Sequence, residues 1–312
     1  MTKTTTLQRG KIKPHYKLFG KSYSTQDTIV GWLFLLPAVV MGLIFIIGPM
    51  VVSLSYSFTD AYLLRLDEMK FVWFDNFADA LKDKIMWTAF GNTMKFVLGV
   101  MPLQLGLAYG LALILNSKIK CNTFFRWAFF VPVMLSLAVT STLWMNLLNE
   151  QDGLINTFLE TLGFERQKFL SDPKQAMPII ILISAWQGAG YQMLIFLSAL
   201  KNIPREVYED SEIDGANKWQ RLIYVTCPMI KPTFSFVLVT MLIGAFRLIT
   251  QPMIMTGGGP MNATLNMSYY IYQNGITYRL VGYSSAIALL YTIFMATIAL
   301  TLNKITSKDN TN

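Results

Sequence analysis

Residues 206–215 read Glu206-Val207-Tyr208-Glu209-Asp210-Ser211-Glu212-Ile213-Asp214-Gly215, and five of the nine residues before Gly215 are acidic. Carboxylates at this density can favour the first turns of a helix, repel an anionic surface, or pair with a basic partner. They stand out because the rest of the chain is strongly apolar. An acidic segment held between two apolar runs suits contact with something outside the membrane.

Few other residues offer chemistry. His15 is the only histidine and lies in the N-terminal tail. No Ser/His/Asp constellation is available, and Cys121 and Cys227 have no histidine to activate them. No His/Cys group has metal-ligand spacing, so no metal is expected. The glycine run Gly257-Gly258-Gly259-Pro260 lacks a following Gly-Lys-Ser/Thr and a preceding strand, so it is not a phosphate loop. The chain is therefore expected to bind no cofactor and to catalyse no reaction. If ATP drives its work, another subunit binds the nucleotide.

The elements that must carry the acidic segment follow from composition. The chain is 53% hydrophobic and 14% charged, with a mean hydropathy of +0.42, against about 25% charged in soluble domains. Six apolar runs are long enough to cross about 30 Å of hydrocarbon as helices. They are roughly Ile29–Phe58, Phe90–Asn116, Trp127–Leu148, Pro178–Leu200, Thr233–Met255 and Tyr283–Thr301. None alternates as a barrel strand would, so the expected fold is an all-α integral membrane bundle of six transmembrane helices. Residues 1–27 read as a basic cytoplasmic tail, too long and polar for a cleavable signal. Lys3, Arg9, Lys11, Lys13, Lys17 and Lys21 suit anionic headgroups. Residues 28–303 form the membrane domain and 304–312 a second cytoplasmic tail.

Lysine and arginine set the orientation. With both termini cytoplasmic, 16 of the 26 fall in the inner segments 1–27, 117–126, 201–232 and 302–312, and 8 in the outer ones. Lys95 and Arg247 lie within spans, and Lys95 is expected to snorkel. The net charge of +8 is thus mainly a topology signal, with no constellation for nucleic acid. Both cysteines fall on the cytoplasmic side, where no disulfide is expected.

The acidic segment then lies in an inner loop, 201–232. Pro204 can open a helix, Glu206, Glu209 and Asp210 favour its first turns, and Gly215 suits the left-handed position after its end. A second helical piece, about Ala216–Val225, places Trp219, Leu222 and Ile223 at helical spacing. Pro228 and Pro232 are expected to break the path before span five. The first helix should point away from the anionic leaflet, carrying Val207, Tyr208 and Ile213 with its acids. Two readings stay open on charge and spacing alone. The knob docks into a protein partner, or the loop is solvated and its acids only cap a helix.

The stretch Glu209-Asp210-Ser211, three residues, Gly215, nine residues, then Val225-Thr226-Cys227-Pro228 resembles the EAA loop of ABC importer permeases. Asp210 and Ser211 stand where that pattern has two alanines, and Cys227 where it has leucine. Phe71-Val72-Trp73-Phe74-Asp75-Asn76-Phe77 and Met255-Thr256-Gly257-Gly258-Gly259-Pro260, with Asn262-Ala263-Thr264, resemble further motifs of the carbohydrate permeases in this group. The resemblance spans nearly the whole chain. It implies a type I ABC importer permease fold and a heterodimer with a second homologous permease. Two ATPase subunits would carry ATP and magnesium, and an extracytoplasmic solute-binding protein would deliver the sugar. It implies ATPase coupling by Glu206, Tyr208, Glu209, Asp210, Ser211, Asp214, Gly215 and Pro228. The implied setting is a bacterial or archaeal cytoplasmic membrane, and the implied cargo an oligosaccharide. Glycerol phosphate or another polar solute is the alternative cargo, and an autonomous secondary transporter the alternative function.

Substrate contacts are expected among polar residues of the spans, which are costly in lipid. Gly244, Arg247 and Gln251 would share one face of a continuous span five. Span four offers Trp186, Gln187, Tyr191 and Gln192, with Gly188 and Gly190 permitting a local break. Span three offers Thr140, Ser141 and Asn146. Against this, the aromatics can be ordinary bundle core, the glycines close helix packing, and Arg247 a partner of the second permease.

Overall fold

A computed structural model of the chain describes residues 15–18, 21–117 and 120–308. The basic residues Lys3, Arg9, Lys11 and Lys13 lie outside that range. The chain divides into two compact units, Met1–Ser55 and Tyr56–Asn312.

In the first unit β1 (His15–Leu18) and β2 (Lys21–Ser24) pair antiparallel, the one departure from helix among the elements of this unit. The region read as a plain tail thus contains a short hairpin. α1 (Thr25–Gly42) follows, with Pro37 inside it. A five-residue π-helical stretch, Leu43–Ile47, leads into α2 (Gly48–Tyr56). Ile29–Tyr56 is long and apolar enough to cross a membrane.

The second unit begins with the short α3 (Asp75–Lys82) and the long α4 (Lys84–Asn116). α5 (Asn122–Met134) and α6 (Leu137–Leu147) follow, then α7 (Leu154–Thr161) and α8 (Ala176–Lys201). The loop after α8 holds α9 (Arg205–Ile213), α10 (Lys218–Arg221) and α11 (Cys227–Met229), with a π-helical stretch at Leu222–Thr226. α12 (Lys231–Phe246), α13 (Thr250–Met255), α14 (Met267–Tyr272) and α15 (Val281–Lys308) complete the chain. Among the described residues, five helices can span a membrane, and α5 with α6 make a sixth if counted together.

The third expected span is not straight. α5 and α6 meet at 97°. Pro132 has no N–H to continue the helix, and Leu135 and Ser136 adopt extended backbone angles. The opposite correction applies to span four: α8 runs unbroken through Gly188 and Gly190. A β-carbon at Gly188 would overlap the Gln104 side-chain amide nitrogen, and one at Gly190 the Phe129 carbonyl oxygen. These glycines let α4 and α5 approach α8, which is close packing rather than a break.

Two apolar cores follow α4 and α8 along the bundle. One holds Phe96, Val100, Ile180, Ala185, Phe246 and Tyr291. The other holds Ala108, Leu115, Ala189, Phe196, Ile230 and Val237. Gln104, Gln187 and Gly188 fall between them in sequence, so a polar layer separates the cores near the middle of α8.

The glycine motif is folded onto α4. Asn92 donates to the carbonyls of Asn262 (2.7 Å) and Leu265 (3.0 Å), and the Thr93 hydroxyl accepts from the Met267 N–H at 2.9 Å. Thr264, fully buried, donates to the Gly259 carbonyl at 2.9 Å.

Candidate functional site

α9 forms where the sequence places it, with Pro204 as its N-cap. Its end is a Schellman turn: the Gly215 N–H reaches the Glu212 carbonyl and the Ala216 N–H the Ser211 carbonyl, both at 3.0 Å. This turn needs a left-handed residue, and Gly215 has φ +79°. Asn217 and Gln220 then form a capping box that starts α10. The loop is therefore a shaped double turn rather than a solvated coil.

Its faces are sorted. Glu206, Glu209, Asp210, Glu212 and Asp214 are exposed, while Val207 and Tyr208 are half-buried and Ser211 is buried. Val207 and Tyr208 therefore do not belong to the exposed knob, because their positions with Ser211 at i, i+1 and i+4 face the chain's own body. The exposed apolar groups beside the acids are Ile213 (84%), Trp219, Ile223 and Tyr224. Tyr224 was not expected there; its position on the opposite side of the second helical piece from Leu222 was the available signal. Ser211, where the related pattern has alanine, donates its hydroxyl to the Tyr208 carbonyl at 2.7 Å, so its burial leaves no hydroxyl hydrogen unpaired. Glu209 pairs with Arg205 at 3.0 Å on the exposed surface, a weak tie that a stronger partner can replace. The Glu212–Arg221 ion pair links α9 to α10.

The path to span five breaks at Ile230, between the two prolines: α11 ends there and α12 begins after it. Pro232 lies in the first turn of α12, where its missing N–H costs least. The π-helical stretch Leu222–Thr226 precedes both helices.

The polar layer inside the bundle opens as a cleft of about 310 Å³. Gln187, Gln192, Gly244 and Gln251, four of the candidates named from sequence, line it together with Gln104, Ser184 and Thr240, which the sequence reading did not name. A polar side chain inside an apolar run was the signal that could have found them. No lining residue is charged. Gln104 donates to the Gln192 carbonyl oxygen at 3.0 Å, and the Ser184 hydroxyl donates to that of Gln251. The Gln187 side-chain carbonyl oxygen and the Gln251 side-chain amide nitrogen are buried and find no partner among the described residues. One is an acceptor and the other a donor, a pair that a hydroxyl-bearing ligand can satisfy.

Gln187 has a second task. Its amide nitrogen reaches the carbonyls of Pro132 (3.3 Å) and Leu135 (3.2 Å) and the Thr140 hydroxyl (3.1 Å). It thereby satisfies groups released by the bend between α5 and α6.

The remaining candidates lie elsewhere. Gly244, Arg247 and Gln251 do not share a helix face, because α12 stops at Phe246 and α13 starts only at Thr250. Arg247 is exposed at the C-cap of α12, while Gln251 is 1% exposed. Trp186 stands edge-on to Trp144 at 5.6 Å between ring centres. Tyr191 lines a separate groove with Phe130 and Phe236. Thr140 and Ser141 are buried, and Asn146 donates to the Thr142 carbonyl of its own helix.

Comparison with known proteins agrees with this architecture. Residues 104–309 match the family described as the binding-protein-dependent transport system inner membrane component. The chain is similar to a probable ABC transporter permease of Bacillus subtilis (strain 168), at 36% identity over 90% of this chain and 92% of that one. It is similar also to a lactose transport system permease of Rhizobium radiobacter, at 34% identity over 93% and 94%. Its fold resembles a chain from the crystal structure of a bacterial ABC transporter that imports the acidic polysaccharide alginate. There the TM-score is 0.80 at 22% identity, covering 91% of this chain and 96% of that one. The chain is thus a multi-pass membrane protein, and it belongs to the inner-membrane permeases of binding-protein-dependent ABC import systems.

Proposed function

We propose that the chain is the sugar-conducting permease of an ATP-driven importer, forming half of the pathway with a second homologous permease. The outward acids of α9, held between the Pro204 N-cap and the Schellman turn at Gly215, carry this reading. A rigid, exposed, acidic and apolar knob suits a cleft on a separate ATPase. Two such ATPases hold ATP and magnesium, and this chain contributes no catalytic group. Glu206, Glu209, Asp210 and Asp214 face the partner. Tyr208, Ser211, Gly215 and Pro228 fix the knob's shape.

The lactose permease relative supports a sugar as cargo. The uncharged cleft favours a neutral polyhydroxy solute, such as a short oligosaccharide, over a glycerol phosphate, whose phosphate calls for a cation. Gln187, Gln192, Gly244 and Gln251 line its route. A solute-binding protein delivers it from outside, both termini face the cytoplasm, and the membrane is the cytoplasmic membrane of a bacterium or archaeon.

The test is reconstitution with the second permease, the ATPase and the binding protein in proteoliposomes. Sugar-loaded binding protein should raise ATP hydrolysis and drive uptake. A Glu209→Ala chain that assembles normally and still supports full ATP-driven uptake would overturn the docking assignment.

A further inference from the structure

The inner face of α9 is wired to the membrane core through two adjacent residues. The hydroxyls of Tyr208 and Thr226 are hydrogen-bonded at 3.1 Å. The next residue, Cys227, is hydrogen-bonded through its thiol to the Tyr109 hydroxyl of α4 at 3.3 Å. Successive helical residues point about 100° apart, so one backbone segment can face α9 with Thr226 and α4 with Cys227. The π-helical stretch Leu222–Thr226 ends at this junction, a local widening of the kind often found at functional sites.

From Tyr109 the contact continues as rings. Tyr109 meets Phe196 of α8 edge-on at 5.5 Å and Phe234 of α12 at 4.9 Å, and those two rings lie 4.7 Å apart. Phe196 is fully buried, and Ile230 beside the junction is 1% exposed. A core packed this closely transmits a displacement instead of absorbing it.

We propose that Tyr109 is a positioning residue for energy coupling. It receives the movement of α9 through Thr226 and Cys227 and passes it to α4, α8 and α12, three of the helices that line the polar cleft. This rests on the reading of α9 as the ATPase-docking helix. Cys227 is the point at which this relay crosses to α4 through a directional bond to Tyr109.

The test uses the complete transporter in proteoliposomes and reads sugar imported per ATP hydrolysed. Tyr109→Phe keeps the ring and removes only the hydroxyl. It should retain ATPase association while lowering the import ratio about three- to tenfold. Cys227→Ala removes the same bond from the other side and should do the same. Tyr208→Phe should lower the ratio also, and adding Tyr109→Phe to it should lower it no further, since both changes cut one path. Wild-type ratios in Tyr109→Phe and Cys227→Ala, or losses that multiply in the double variant, would overturn the relay. So would a loss in Tyr109→Phe explained wholly by reduced thermal stability, with Cys227→Ala at the wild-type ratio. Glu209→Ala run in parallel separates the two levels. Full uptake in that variant defeats the docking reading, whereas lost ATPase association beside a wild-type Tyr109→Phe defeats only the relay.

Discussion

The Tyr283 hydroxyl donates to Asp83 Oδ2 at 2.7 Å. The Tyr270 hydroxyl donates to the same oxygen, and Asp83 Oδ1 accepts the Ile85 N–H at 2.8 Å as the N-cap of α4. One carboxylate therefore ties the start of α4 to α14 and α15. Partial burial raises its pKa, but the two hydroxyls and the N–H groups of Ile85 and Met86 outweigh that and hold it below its ordinary 3.8. Burial and Asp83 together push the Tyr270 phenol up to about 12.

A lowered carboxyl pKa stabilises the fold above the unfolded value and loses that contribution as pH falls through the folded one. Asp83→Asn should thus cost about 1–2 kcal/mol at neutral pH, the lower end of a charge-assisted bond because the site is partly solvated. Thermal unfolding in detergent should show the gap between variant and parent closing below about pH 4. A gap independent of pH would mean the charge contributes nothing.

Helix approach at α8 gives a steric prediction. Gly190→Ala drives a methyl into the backbone carbonyl of Phe129, which cannot rotate away, and should destabilise by about 2–3 kcal/mol. Gly244→Ala meets nothing within 4 Å and should keep the parent's melting temperature. Equal stability of the two variants would contradict the packing of α5 on α8.

The two half-paired amides of the cleft should separate by phenotype. Gln187→Leu strands the groups freed at the α5–α6 bend and should cost about 2–3 kcal/mol in thermal unfolding. Gln251→Leu gives up one bond to Ser184 and should show its main effect in transport. A roughly tenfold rise in half-saturating sugar, about 1.4 kcal/mol, is expected in uptake assays. An unchanged uptake curve would remove Gln251 from the route.

Ile213 tests the docking surface without touching the core. At 84% exposure its replacement by Glu should alter stability by less than about 0.5 kcal/mol. Co-purification of the ATPase should nevertheless fall at least about tenfold, because a charge would enter an apolar contact. Undiminished co-purification would place the knob's apolar side outside the interface.

The cleft shows where sequence reading fell short. Gln187, Gln192 and Gln251 were visible as polar residues in apolar runs, yet so were Trp186, Tyr191 and Arg247, which lie elsewhere. Helices that are apolar all round carry no stripe to say which side faces which neighbour. Spacing also assumed an unbroken span five, and the gap between Phe246 and Thr250 removed that assumption. The bend of span three had a local cause in Pro132, but a single proline can end, kink or merely sit within a helix. α8 illustrates the converse, since its two glycines break nothing.

The sequence by itself determined the local events: where apolar runs are long enough to span, where α9 starts at Pro204, and that Gly215 ends it. Each depends on side-chain length, hydration or backbone freedom over a few neighbouring residues, so the code is readable in place. Only the tertiary structure decided that Val207 and Tyr208 turn inward, that Cys227 meets Tyr109, and that amides from α4, α8 and α13 converge between two apolar cores. These depend on the rotation and approach of helices distant in sequence, which packing fixes and composition leaves free.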